Sequence, residues 1–142
     1  MKPYVWHTRV YYEDTDAGGV VYYANYLKYM ERARTEWLRS LGVEQDTLAK
    51  DLNVLFAVRS VTIDYKKPAR FNDALTVTVV AHALKPASIS FKQDISQQGD
   101  EANLFTTSEV NVVCLNANDF SPNPIPKNIY QTIQSGEINN DY

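Results

Sequence analysis

The chain has 142 residues, 44% hydrophobic and 22% charged, with a formal net charge of −3, which is one domain's length with apolar residues enough for one core. The acidic balance, with a pI near 5.3, argues against nucleic acid as the main partner, because phosphate binding needs a basic surface. No apolar run approaches the ~20 residues of a membrane span, no signal-peptide core opens the sequence, and a single cysteine, Cys114, fits a reducing, cytoplasmic setting.

Residues 4–12 are rich in aromatic and β-branched types and read as a first strand. Trp6, Thr8, Val10 and Tyr12 share one face; Val5, His7, Arg9 and Tyr11 share a wetter one. The acidic turn Glu13-Asp14-Thr15-Asp16 and the small hinge Ala17-Gly18-Gly19 end it. From Tyr23 to Leu41 the period changes. Tyr26, Met30, Ala33, Trp37 and Leu41 follow spacings of three and four, flanked by Leu27 and Leu38, which predicts an amphipathic helix about 28 Å long. Lys28, Glu31, Arg32, Glu36 and Arg39 take the opposite side, with Arg32 and Glu36 spaced as an i,i+4 pair. Gly42 suits a left-handed helix terminus. Val43–Leu52 reads as a short second helix. Four strands follow, over Leu55–Tyr65, Ala74–Leu84, Ser88–Ser96 and Asn103–Leu115. The tail from Asn116 carries one helical turn at Lys127–Ile133, so residues 1–135 form a single domain and 136–142 a frayed end. One strand, a long helix and four strands in short succession predict an α+β fold: a mostly antiparallel sheet of about five strands curved around that helix.

Several sites can be set aside. His7 and His82 lie in separate strands without companions at metal-ligand spacing, so no metal is expected; both read as surface or hydrogen-bonded structural residues. Cys114 continues the alternation Val110, Val112 and reads as a small buried hydrophobe. Neither a G-x-S-x-G elbow nor a phosphate loop occurs. Glu13 and Asp14 read as solvated turn residues that bond local backbone. Asp16 has the stronger claim. Three small residues follow it, so a ligand can approach its carboxylate closely, and a helix start nearby aims free N–H groups and a positive dipole end at the same region. Donors aimed at developing negative charge form an oxyanion site, beside which a carboxylate serves as nucleophile or general base. Among the tyrosines at 22, 23, 26 and 29, Tyr26 fits the core, and Tyr23, at the helix start, offers its backbone N–H.

The run from Asp14 to Tyr26, DTDAGGVVYYANY, continuing through Glu31-Arg32-Ala33-Arg34, resembles the signature of hot-dog-fold acyl-CoA thioesterases. Within the 4-hydroxybenzoyl-CoA thioesterase family it looks most like the YbgC-type branch associated with the Tol–Pal envelope system. Thr62–Arg70 is similar to that family's second-strand segment. The resemblance implies a hot-dog fold, with a curved sheet wrapped around one long central helix, and hydrolysis of an acyl-CoA to free acid and coenzyme A. It implies no separate cofactor, since coenzyme A is part of the substrate. By position, Asp16 would be the catalytic carboxylate and the Tyr23 N–H would polarise the thioester carbonyl. Many YbgC-type members carry histidine at the position of Tyr23; the backbone role survives, because any residue but proline offers an N–H. Gly19 and Val20 would line the substrate. Lys85 and Ser88 match a coenzyme-A-binding region loosely, and Lys66, Lys67 and Arg70 form the chain's densest basic cluster, a candidate for the phosphates, although a solvated turn explains it equally well. The resemblance also implies a homodimer or homotetramer, with active sites at the subunit interface, and an association with the Tol–Pal system.

Two rivals predict different behaviour. A hot-dog dehydratase would pair a histidine with the carboxylate, and none lies near Asp16 in sequence. A non-catalytic acyl-thioester-binding or envelope-associated module would bind without turnover.

Overall fold

Among the described residues β-branched alternation produces five strands, and the four strand pairs they form are all antiparallel. The computed structural model describes residues 3–138. In chain order these form β1 (Tyr4–Arg9), a 3₁₀ turn (Tyr12–Asp14), α1 (Asn25–Ser40), α2 (Gln45–Asp51), β2 (Val54–Tyr65), β3 (Ala74–Lys85), β4 (Ser88–Gln97), β5 (Asp100–Asn116) and α3 (Lys127–Ile138). They make one sheet in the order β1-β3-β4-β5-β2. The short β1 is one edge and the 12-residue β2 the other. No helix among the described residues is long and apolar enough to cross a membrane.

The sheet face that meets α1 is apolar at alternate positions: Leu75, Val77, Val79 and Ala81 on β3, Ile89, Phe91 and Ile95 on β4, and Val110, Val112 and Cys114 on β5 are all buried. Helix α1 answers with Tyr26, Tyr29, Met30, Ala33, Trp37 and Leu38. Trp37 meets Phe91 edge-on at 5.3 Å between ring centroids, a geometry that contributes roughly 0.5–1.5 kcal/mol beyond area burial. Gln93, also on β4 and fully buried, accepts from Arg34 Nη1 at 2.9 Å and donates to the Met30 carbonyl at 3.1 Å. Its amide therefore anchors α1 over the middle strand without leaving a buried polar group unpaired.

Several expectations shift. The apolar stripe takes in Tyr29, while Leu27 stays exposed. Glu36 pairs with Arg39, not with Arg32, and Arg39 also reaches Glu44 at 3.2 Å. The first strand ends at Arg9, because Val10 N–H turns away to the Asp73 carbonyl at 3.0 Å and Tyr12–Asp14 coil into the 3₁₀ turn. The C-terminal helix is longer than one turn, with Ile133 buried and Gly136 against Leu41. Of the expected frayed end, 136–138 continue α3; 139–142 lie outside the described residues.

Candidate active site

The acidic stretch folds as a tight hairpin. Thr15 and Val21 form an antiparallel bridge, Asp16 N–H donates to Val20 O at 2.9 Å, and Gly19 N–H donates to Asp16 O at 3.0 Å. Gly19, at φ +78°, supplies the left-handed conformation the turn needs. Asp16 stands exposed at the tip, and its Oδ1 accepts the Gly18 N–H at 2.8 Å. The returning arm is fixed to the segment before β3: Val20 bridges Arg70, Val21 N–H donates to Ala69 O at 2.8 Å, and the Tyr26 hydroxyl accepts the Ala69 N–H at 3.0 Å. Burial pushes the Tyr26 phenol above its usual pKa, which keeps it a neutral structural group.

Helix α1 begins without a cap. Ala24, at the N-cap position, is already helical and has no side-chain acceptor; Asn25 N–H donates instead to Tyr22 O at 2.8 Å and Leu27 N–H to Ala24 O at 3.2 Å, which leaves Tyr23 N–H as an open donor at the helix start. Tyr23 N–H has no hydrogen-bond acceptor among the described residues. The Tyr23 carbonyl takes the Tyr65 hydroxyl at 3.3 Å, tying the end of β2 to the helix start. An exposed carboxylate and an uncapped helix start thus stand on one loop of eight residues, Asp16 to Tyr23. Together they can attack a carbonyl and hold the resulting oxyanion.

Asp14 corrects the sequence reading. It is buried, not solvated. Its Oδ2 accepts the Tyr11 N–H at 2.9 Å, and its carbonyl accepts both the Tyr22 N–H and Asn25 Nδ2, each at 2.9 Å. Behind it the Tyr29 hydroxyl is enclosed without a partner of normal hydrogen-bond geometry among the described residues. Burial, with the Asp14 carboxylate adding to it, pushes the Tyr29 phenol far above its usual pKa. Asn25 carried a signal, since a capping-type residue stood at a helix start.

The other expected contacts fall in two places. Gly19, Val20 and Arg70 meet in the hairpin itself, and Lys66 and Lys67 line a recess of about 240 Å³ with Val21, Tyr26 and Tyr65. Lys66 is paired with Asp64 at 2.8 Å and Lys67 with Asn103 at 2.6 Å. Lys85 and Ser88 do not join them. They face each other where β3 ends and β4 begins, roughly 36 Å along β3 from its start, in a polar recess of about 270 Å³ that also holds Arg59, Ser60, Ser90 and Asn111. Arg59 was not foreseen: a bulge between Val58 and Ser60 re-aims it.

A third recess, about 470 Å³, was also unforeseen. Its walls are Leu38 of α1, Phe56 and Val58 of β2, Ile89 and Phe91 of β4 and Val112 of β5, with Glu31, Arg34, Thr35 and Gln45 at its polar side. Desolvation lowers the pKa of Arg34, which keeps one donor on Gln93. Burial raises the Cys114 thiol pKa, His7 meets Thr76 at 3.3 Å, and His82 faces Glu109 at 3.6 Å. Neither histidine joins Asp16.

Known proteins match this arrangement over most of the chain. The model of the thioesterase-like superfamily matches residues 10–133. Acyl-CoA thioester hydrolase YbgC of Escherichia coli O6:H1 is 43% identical over 124 residues, 87% of this chain and 90% of that protein. Acyl-CoA thioesterase YbgC of Haemophilus influenzae is 40% identical over 121 residues, 85% and 87% of the two chains. Among solved structures, a probable thioesterase from Bartonella henselae superposes with a TM-score of 0.82 at 30% identity, covering 88% of this chain and all of the other. The chain belongs to the hot-dog thioesterase-like superfamily and, within it, to the YbgC family.

Proposed function

We propose that this protein hydrolyses acyl-CoA thioesters to the free acid and coenzyme A, with Asp16 as the reacting carboxylate. The two YbgC relatives, named as acyl-CoA thioester hydrolase and acyl-CoA thioesterase, support the reaction class. The observation that carries the mechanism is the exposed Asp16 beside an uncapped helix start. The carbonyl oxygen sits on the Tyr23 N–H, and Asp16 attacks the carbonyl carbon or deprotonates the water that does. A C–O bond forms, negative charge moves to the oxygen held by the helix start, and its collapse breaks the C–S bond. The thiolate of coenzyme A leaves and takes up a proton from solvent. In the direct route one water then attacks the Asp16 anhydride, releasing the free acid and regenerating the carboxylate. Asp16→Asn keeps the shape and the Gly18 contact but removes the nucleophile. Thiol release from a panel of acyl-CoAs should fall by at least about 10³-fold with folding intact; near-normal turnover would sink the mechanism.

The functional unit is a homodimer, alone or as half of a homotetramer, joined through β2. This edge is long and leaves Val58 at 49% and Val61 at 36% exposure, whereas β1 offers only 6 residues. Coenzyme A phosphates would then find Arg59, Lys85 and Ser88 on one subunit and Lys66, Lys67 and Arg70 on the other. The reading places the enzyme in the cytoplasm, where acyl-CoA is available. A Tol–Pal association follows from the family alone; failure of Tol–Pal proteins to co-purify would remove it.

A further inference from the structure

Asn is usually found one residue earlier at a helix start, where its side-chain oxygen caps the first-turn N–H groups. Here Asn25 is the first residue of α1, buried, and its side chain faces the other way: Nδ2 donates to the Asp14 carbonyl at 2.9 Å across 11 residues of chain. Two consequences follow. No side chain competes for the Tyr23 N–H, although Asn25 N–H and Leu27 N–H already donate to Tyr22 O and Ala24 O, and the two arms of the hairpin are joined at one oxygen, which also accepts Tyr22 N–H. Asp16 lies two residues after that oxygen's residue, and Tyr23 two residues before Asn25. Asp14 cannot drift to follow a loosened loop, because its carboxylate is tied to Tyr11 N–H on the opposite side.

We propose that Asn25 is a positioning residue for thioester hydrolysis: by clamping the Asp14 carbonyl to the first turn of α1, it fixes the Asp16 carboxylate relative to the Tyr23 N–H. The inference rests on the thioesterase reading above. The residue never meets the substrate. Its action is on the distance between nucleophile and oxyanion donor, to which turnover is steep, a misplacement of one ångström being worth on the order of 10²-fold.

Two substitutions test it. Asn25→Ala removes the donor and should lower kcat by about 10- to 100-fold while KM stays within about twofold, the pattern of an interaction realised in the transition state. Asn25→Asp keeps the shape but sets a carboxylate against a carbonyl oxygen. That contact disfavours the charged form, so the new carboxyl titrates above its usual range and regains a donor when protonated. The activity of N25D relative to wild type should therefore rise as pH falls from 8 to about 5.5, a dependence that a merely structural defect would not give. Both variants are assayed well below their melting transitions, with folding followed by circular dichroism. Wild-type kcat in N25A, a loss no greater than the unfolded fraction, or a pH-independent ratio for N25D would overturn the role. No thiol release by wild type would overturn the thioesterase reading itself. Release that Asp16→Asn abolishes but Asn25 variants leave unchanged would overturn only the inference about Asn25.

Discussion

A Cβ added at Gly18 would lie 3.2 Å from Asp16 Oδ1, the oxygen that also accepts the Gly18 N–H. That approach is tight enough to move a carboxylate by a few tenths of an ångström, and the exposed loop has room to let it move. Gly18→Ala is therefore expected to fold normally yet lose about tenfold in kcat; thiol-release kinetics beside a melting curve check both halves. The exposed place of Asp16 was legible in the sequence because it rests on immediate neighbours, the small residues after it. Asp14 was not legible. An acidic turn reads as solvated, and its burial is decided by partners at Tyr22 and Asn25, neither of them adjacent. Tyr29 was ambiguous for a related reason: four tyrosines at 22, 23, 26 and 29 cannot all face the sheet, and only the rotation of α1 selects 26 and 29.

Helix α1 ends as sharply as it begins openly. Gly42 adopts φ +83°, its N–H donates to Arg39 O at 2.9 Å, and Val43 N–H reaches back to Leu38 O at 3.0 Å. This pair of bonds satisfies the last carbonyls and needs a left-handed residue. Gly42→Ala should cost about 1 kcal/mol, lowering the melting temperature by roughly 3 °C. Activity at room temperature should be unchanged, because the helix puts about 24 Å between this end and Tyr23; calorimetry and a standard assay read the two. Both the glycine stop and the strand cores were legible, since periodicity and φ preference are local properties. The helix start was read two residues early, at Tyr23 where α1 begins at Asn25, because nothing local distinguishes a turn residue with a free N–H from the first helical one. The order β1-β3-β4-β5-β2 had no local signal either: it puts the strand that follows α2 at an edge, and that placement matters most for the assembly.

Helix α1 runs antiparallel to β2. Its first turn lies by Tyr65, at the end of the strand, and its second half lies by Phe56 and Val58, near the beginning. If two copies pair their β2 edges antiparallel about a two-fold axis near mid-strand, the Tyr65 end of each must face the Phe56 end of the other. The Asp16 loop of one subunit then opens toward the 470 Å³ apolar recess of its partner, which is of the size ligand pockets require. In this arrangement one chain supplies the carboxylate and oxyanion donor while the other receives the acyl group. The recess escaped the sequence reading because its walls come from four separate elements. The arrangement makes a prediction that a self-contained site does not. Thr35→Trp, which fills the recess from the helix side, should inactivate the protein toward bulky acyl-CoAs, as Asp16→Asn does toward all. Mixed after reversible unfolding, the two inactive proteins should recover activity. In a mixed dimer one site pairs an intact Asp16 with an intact recess, so random association restores about a quarter of the wild-type sites. Light scattering confirms that both variants and their mixture are dimers or tetramers. A mixture that is assembled but inactive would place the whole site within one chain.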